Sequence, residues 1–192
     1  MKRQLLCLGI ALYLSWHCAF ICQAFTDFTD VPTTMYCYTP VKWAVDESIT
    51  NGTSENEFSP GATCSKKQAL TFLWRAFVKR LNPVQYRNGN DFQEAINWAI
   101  SEGLESENFD PSAPCTRERF VTYLYILADR PNVDISDVEE TFDDVFLSSK
   151  FASAVVWAAD KNITKGTNGS FNPDSVCTRG NIMTFLHRYA TQ

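Results

Sequence analysis

Three cations recur at matching places in the 192-residue chain: Lys66, Arg117 and Arg179. Each follows a cysteine and a hydroxyl residue, as Cys64-Ser65-Lys66, Cys115-Thr116-Arg117 and Cys177-Thr178-Arg179. Ser and Thr are residues that open helices, and apolar residues at helical spacing follow them. Each cation is therefore expected in the first turn of a helix. The first N–H groups of a helix lack intrahelical partners, and the helix dipole is positive at that end. A guanidinium fixed beside such donors can take a carboxylate or a ketal-linked acid bidentately. Lys66 offers charge without the planar fork. The plainer alternative for each cation is a solvated helix end or an ion pair between neighbouring units.

Other chemistry has thinner support. Past the N-terminal segment the chain has one histidine, His187, and nothing marks a Ser or Cys partner for it. Glu139, Glu140, Asp143 and Asp144 form an acidic stretch, whereas a glycosidase needs two carboxylates at a set separation across a cleft. No Cys-x-x-Cys spacing suggests zinc. There is no phosphate-binding glycine loop and no calcium loop. A binding protein is expected rather than an enzyme, with no cofactor and no metal.

The cations belong to a longer recurring cassette. A tryptophan lies in a helical run, then come a polar loop, Phe-x-Pro, the cysteine, and a second apolar helix. The tryptophans are Trp43, Trp98 and Trp157, and the Phe-x-Pro triplets start at Phe58, Phe109 and Phe171. The second helices carry Thr71-Phe72-Leu73-Trp74-Arg75, Thr122-Tyr123-Leu124-Tyr125 and Thr184-Phe185-Leu186-His187-Arg188. The leading helices are expected with Thr39 as N-cap before Pro40, over 92–102 and over 152–161. Ser65 and Gln68 fit a capping box, while Thr116 and Thr178 are expected to cap without a reciprocal partner. The polar connectors are 82–90 and the acidic 130–140. A helix pair this small cannot bury its own apolar face, so neighbours must stack.

These cassettes resemble S-layer homology domains, which come as about three tandem copies. Phe28-Thr29-Asp30-Val31 and Phe142-Asp143-Asp144-Val145 supply the family's Phe-x-Asp-Val opening. Cys115-Thr116-Arg117-Glu118 and Cys177-Thr178-Arg179-Gly180 supply its Thr-Arg motif. Lys66 replaces the arginine in the first cassette. The second lacks the opening and has a shorter loop. The resemblance implies an all-α, pseudo-threefold, three-lobed domain with a central helical bundle and ligand grooves between lobes. It implies non-covalent cell-wall anchoring through a secondary wall polysaccharide, often pyruvylated. The ligand residues it implies are Asp30, Trp43, Gly52, Trp98, Arg117, Asp144, Trp157, Gly166 and Arg179, with Lys66 a weaker stand-in. Read from the residues alone, each tryptophan could equally be core and each Asp a turn cap. Gly52 and Gly166 serve positive φ in either case.

Composition narrows the partners. Residues 1–24 read as a secretory signal, with Lys2 and Arg3 before an apolar run and Cys22-Gln23-Ala24 as cleavage site. The repeats are expected at 25–80, 81–130 (degenerate) and 131–192. The net charge is −5, and losing Lys2 and Arg3 makes it more negative, which disfavours nucleic acid. No membrane association is expected after cleavage. An anionic polymer would then be held by local cations. Cys37, Cys64, Cys115 and Cys177 remain after cleavage. Export permits disulfides, but equivalent positions in a pseudo-threefold need not come within the roughly 7 Å a bond requires. Burial as small hydrophobes beside the Phe is the expectation, and the pairing of Cys37 stays open. Two alternatives to wall anchoring remain: a secreted or surface scaffold that binds another protein, and a small wall-active hydrolase. With the cassettes running from the signal to Gln192, a free-standing wall coat, a recruiter of partners or a fragment of a larger system is expected.

Overall fold

A computed structural model describes residues 27–83 and 90–192; the signal segment lies outside the described residues, as does most of the first connector. Among these residues the protein is all-α, with isolated β-bridges and no strands. The helices are α1 (Tyr38–Asp46), α2 (Lys66–Trp74), α3 (Asp91–Ser101), α4 (Arg117–Leu127), α5 (Val138–Thr141), α6 (Ala152–Asp160) and α7 (Arg179–Ala190). A π-helical turn, Arg75–Lys79, extends α2. No helix among the described residues is long and apolar enough to cross a membrane.

Local chemistry sets the helix ends. Helix α1 starts before the expected cap: Cys37 is the N-cap and its carbonyl accepts from Val41 N–H at 2.8 Å. Thr39 and Pro40 lie inside the first turn, where the missing proline N–H has no intrahelical role. Gln68 Oε1 accepts from Ser65 N–H at 2.9 Å, so the predicted capping box is present. Thr178 has a partner after all, because Asn181 Oδ1 accepts from Thr178 N–H at 3.2 Å and Thr178 Oγ1 accepts from Asn181 N–H at 3.2 Å. Asparagine is one methylene shorter than the expected glutamine yet still reaches. Thr116 instead donates to Glu118 Oε1 at 2.9 Å. The acidic connector also differs from a solvated loop, because α5 forms in it and buries Val138.

The leading helices end alike. N–H groups of Ile49, Leu104 and Ile163 reach back to the carbonyls of Ala44, Ala99 and Ala158, each at 2.8 Å. The left-handed residue that closes each turn is Ser48, Gly103 or Asn162.

Packing does not follow cassette boundaries. Each leading helix lies mainly on the second helix of the preceding cassette: α3 on α2, and α6 on α4. Helix α1 has no predecessor and packs on α7, joining the first cassette to the last. Aromatic pairs mark these seams, with Trp43 against His187 at 5.3 Å and Trp157 against Tyr125 at 5.7 Å between centroids. The second helices meet in one continuous core, where Phe120 stacks on Phe185.

Candidate functional site

The three helix entrances join in a closed cycle of backbone hydrogen bonds. Cys64 N–H donates to Cys177 O at 2.9 Å, Cys115 N–H to Cys64 O at 2.9 Å, and Cys177 N–H to Cys115 O at 2.8 Å. The backbones of the three cysteines thus meet, because neighbouring segments must pair their buried polar groups, while the thiols stay unbonded as small buried groups, as expected. All four described cysteines are buried and free. Burial pushes the Cys64 thiol up to about 11 and the Cys177 thiol up to about 12, and holds Cys115 well above the ordinary thiol range.

The next two N–H groups of each helix continue the cycle. Lys66 and Lys67 donate to the carbonyls of Ala113 and Pro111; Arg117 and Glu118 to those of Ser175 and Pro173; Arg179 and Gly180 to those of Ala62 and Pro60. Each helix entrance is therefore capped by the Phe-x-Pro loop of the next cassette, with the third returning to the first. These N–H groups are satisfied internally, so the first turns of these helices offer no free donors of the kind the sequence suggested.

Two of the cations are clamped identically. Arg179 Nε donates to Phe58 O at 2.8 Å, and its guanidinium lies 4.6 Å from the Phe58 ring centroid and 5.3 Å from that of Phe72. Arg117 Nε donates to Phe171 O at 2.8 Å, with Phe171 and Phe185 at 5.0 and 5.1 Å. A guanidinium stacked between two aromatic rings gains cation–π attraction and loses rotamer freedom before any ligand arrives. Arg179 is only 6% exposed. Burial lowers the pKa of both arginines, but a guanidinium stays charged at neutral pH.

Each clamped arginine lines a cleft. The first has a volume of about 270 Å³ and includes Arg179, Thr50, Gly52, Gln68, Phe72 and Arg75. The second, about 290 Å³, includes Arg117, Thr164, Gly166, Asn181, Phe185 and Arg188. The two sets correspond position by position. Thr50 Oγ1 accepts from Gly52 N–H at 3.2 Å, and Thr164 Oγ1 from Gly166 N–H at 3.3 Å. Arg75 Nη1 donates to Ile49 O at 3.1 Å, and Arg188 Nη1 to Ile163 O at 3.1 Å. The threonines and these second arginines were not singled out from sequence. Their signal was present for the arginines in the shared Thr-Phe-Leu-x-Arg run, where the second cassette has Ile126 instead.

The entrance at Lys66 differs. Lys66 Nζ is 3.0 Å from Glu105 Oε1 and 5.7 Å from the Phe109 ring centroid. Its charge already has a partner within the chain.

The remaining sequence candidates divide by role. Asp30 accepts from the N–H groups of Phe58 and Ser59 at 2.9 and 2.7 Å; Asp144 accepts from those of Phe171 and Asn172 at 2.7 and 2.6 Å. Both carboxylates thus hold the Phe-x-Pro loop that in turn clamps an arginine. Gly52 has φ +85° and a Cβ there would lie 2.6 Å from Glu57 O and from the Phe28 ring; Gly166, at φ +62°, would meet Phe142 and Ser170 O equally closely. Trp157 is 3% exposed and packs against Tyr125 and Tyr189, so both its faces are in the core. Trp43 and Trp98 are half-buried against the same core. None of the three tryptophans lines either cleft. His187 packs edge-on against Trp43, and burial with the adjacent Arg188 charge lowers its pKa.

Comparison with known families adds an independent line. The family model for the S-layer homology domain matches residues 27–70 and 141–180. The chain therefore holds two segments similar to that domain. Each matched segment runs from a Phe-x-Asp-Val opening to the start of a second helix, and the middle cassette lies outside both. No curated protein matches the chain.

Proposed function

We propose that this protein is a non-covalent cell-wall anchoring module that binds a secondary wall polysaccharide, pyruvylated forms included, in clefts between its cassettes. S-layer homology domains are generally surface-anchoring modules. The observation that carries the reading is the pair of arginines, Arg117 and Arg179, each stacked between two phenylalanines at a cleft. Such a guanidinium has its Nε committed to a loop carbonyl, and Arg179 Nη2 also donates to Thr50 Oγ1 at 3.5 Å; the remaining Nη donors are left for an acidic sugar substituent. Thr50 and Thr164, with Arg75 and Arg188, extend each cleft's polar lining along a glycan. In this reading the three cassettes occupy 25–80, 81–130 and 131–192, and the first 24 residues direct export to the wall.

The mature chain is expected to pellet with purified cell-wall sacculi, and to stay in solution when mild acid has stripped their secondary polymer. Replacing either arginine by alanine should weaken pelleting roughly 10- to 100-fold, the worth of a charge-assisted hydrogen bond set of about 1.5–3 kcal/mol. Equal pelleting on stripped sacculi, or by the folded double-alanine chain, would sink the reading. The closed entrance at Lys66 favours a second reading, a surface scaffold that binds another protein. That reading predicts no dependence on the wall polymer.

A further inference from the structure

The groove that Lys66 shares with the middle cassette is filled by the chain itself. Glu105 stands where the other cassettes have Thr50 and Thr164. The three residues follow Leu104, Ile49 and Ile163, and their N–H groups donate to the equivalent carbonyls of Ala99, Ala44 and Ala158. In place of a threonine hydroxyl lining an open cleft, there is a carboxylate whose side chain is 7% exposed. Three side chains meet its Oε1. Lys66 Nζ lies 3.0 Å away, the Tyr123 hydroxyl donates at 2.5 Å, and Arg119 Nε lies 3.9 Å away.

The changes match one another. Lys66 replaces the clamped arginine, Glu105 replaces the threonine, and Tyr123 replaces Phe72 and Phe185 and adds the hydroxyl they lack. Arg119 occupies the position of Gln68 and Asn181. Loss of one partner alone would leave a buried polar group unpaired. Here every buried side-chain nitrogen and oxygen among the described residues has a hydrogen-bond partner. Cation, carboxylate and phenol together form a satisfied anion site with the anion attached.

We propose that Glu105 is a tethered carboxylate occupying the anion position of the middle groove. The chain then takes anionic ligand in two grooves, at Arg117 and Arg179, and closes the third with its own side chain. This rests on the anionic-ligand reading above. A tethered group competes at high effective concentration, and displacing it would leave its charge buried and unpaired.

The test substitutes Glu105→Thr, the residue of the other two cassettes. Thermal denaturation is run in sodium pyruvate and in sodium chloride at equal ionic strength. The variant should show a pyruvate-specific rise in Tm larger than the parent's, and in Lys66→Ala/Glu105→Thr the rise should fall back to the parent's. A variant that folds only in pyruvate supports the proposal equally. No pyruvate-specific effect, or folding in neither salt, overturns it. Calorimetry with a methyl hexoside carrying a pyruvate ketal then counts grooves. Two sites in the parent and three in the variant are expected, and three in the parent overturns the proposal. No binding by the parent would sink the function proposed above, while the Tm comparison still decides the role of Glu105.

Discussion

At the scale of residues, the clefts depend on a short chain of dependencies. An aspartate fixes a loop, the loop carbonyl and ring fix an arginine, and the arginine faces the cleft. Asp144 accepts two backbone N–H groups, from Phe171 and Asn172. Phe171 then gives both its carbonyl and its ring to Arg117. Asp144→Ala should leave those donors without their partner and cost about 1–3 kcal/mol for each one that stays dry. Urea denaturation would measure this, and ligand affinity should fall with it although Asp144 itself lies behind the loop. Full stability in Asp144→Ala would show that the loop does not need the carboxylate. The sequence alone offered ligand contact and turn capping for Asp30 and Asp144; the backbone distances place both on the loop. That outcome was not readable in one dimension, since the partners lie 27–29 residues away.

At the scale of elements, the helices were legible and their pairing was not. Apolar spacing locates α3 and α6 to within a residue of their ends, and the hydroxyl residues Ser65, Thr116 and Thr178 mark where α2, α4 and α7 start. Helix α1 starts earlier than Thr39 suggests, because Cys37 is pinned in the core and its carbonyl takes the first helical bond. Periodicity shows that a face is apolar, but not which helix covers it. Here α6 lies on α4 and α1 on α7. Trp157 sits at the first of these seams and is almost fully buried, whereas Trp43 at the second is half-exposed. Trp157→Ala should cost about 3–5 kcal/mol through the cavity it leaves. Trp43→Ala should cost clearly less, and neither should alter ligand affinity per folded molecule. Comparing denaturation midpoints with binding by the folded fraction checks both statements. A selective loss of binding in a stable Trp43→Ala chain would instead assign that indole to the ligand.

At the scale of the whole molecule, the cycle through Cys64, Cys115 and Cys177 ties the three helix entrances together. The recurrence of the cassette was plain in the sequence, and so was the anomaly of the middle one. What the sequence could not convey is that each cleft draws its cation from one cassette and its walls from the next. Glu105 was therefore invisible as a partner of Lys66: they lie in different cassettes, and only the cyclic arrangement brings them together. The buried cycle also predicts a pH response. Burial raises Cys64 from an ordinary 9.0 to about 11 and Cys177 to about 12. The folded chain therefore holds these thiol protons more tightly than the unfolded chain does. Their contribution to stability is whole below pH 9 and is lost as pH rises from there through the folded values. Each pH unit that separates the folded from the unfolded value is worth about 1.4 kcal/mol. Under reducing conditions Tm should therefore fall across that alkaline window, with a shallower slope in Cys64→Ala. A slope unchanged by that substitution would mean that the Cys64 thiol has no part in the loss. If two clamped arginines hold the anion, the most direct test is to follow arginine Nε–Hε resonances by NMR during titration with a methyl hexoside carrying a pyruvate ketal. Saturable shifts at Arg117 and Arg179, with the Lys66 ammonium unmoved, are the predicted result. Shifts spread over exposed cations, or none at the two clamped arginines, would contradict it.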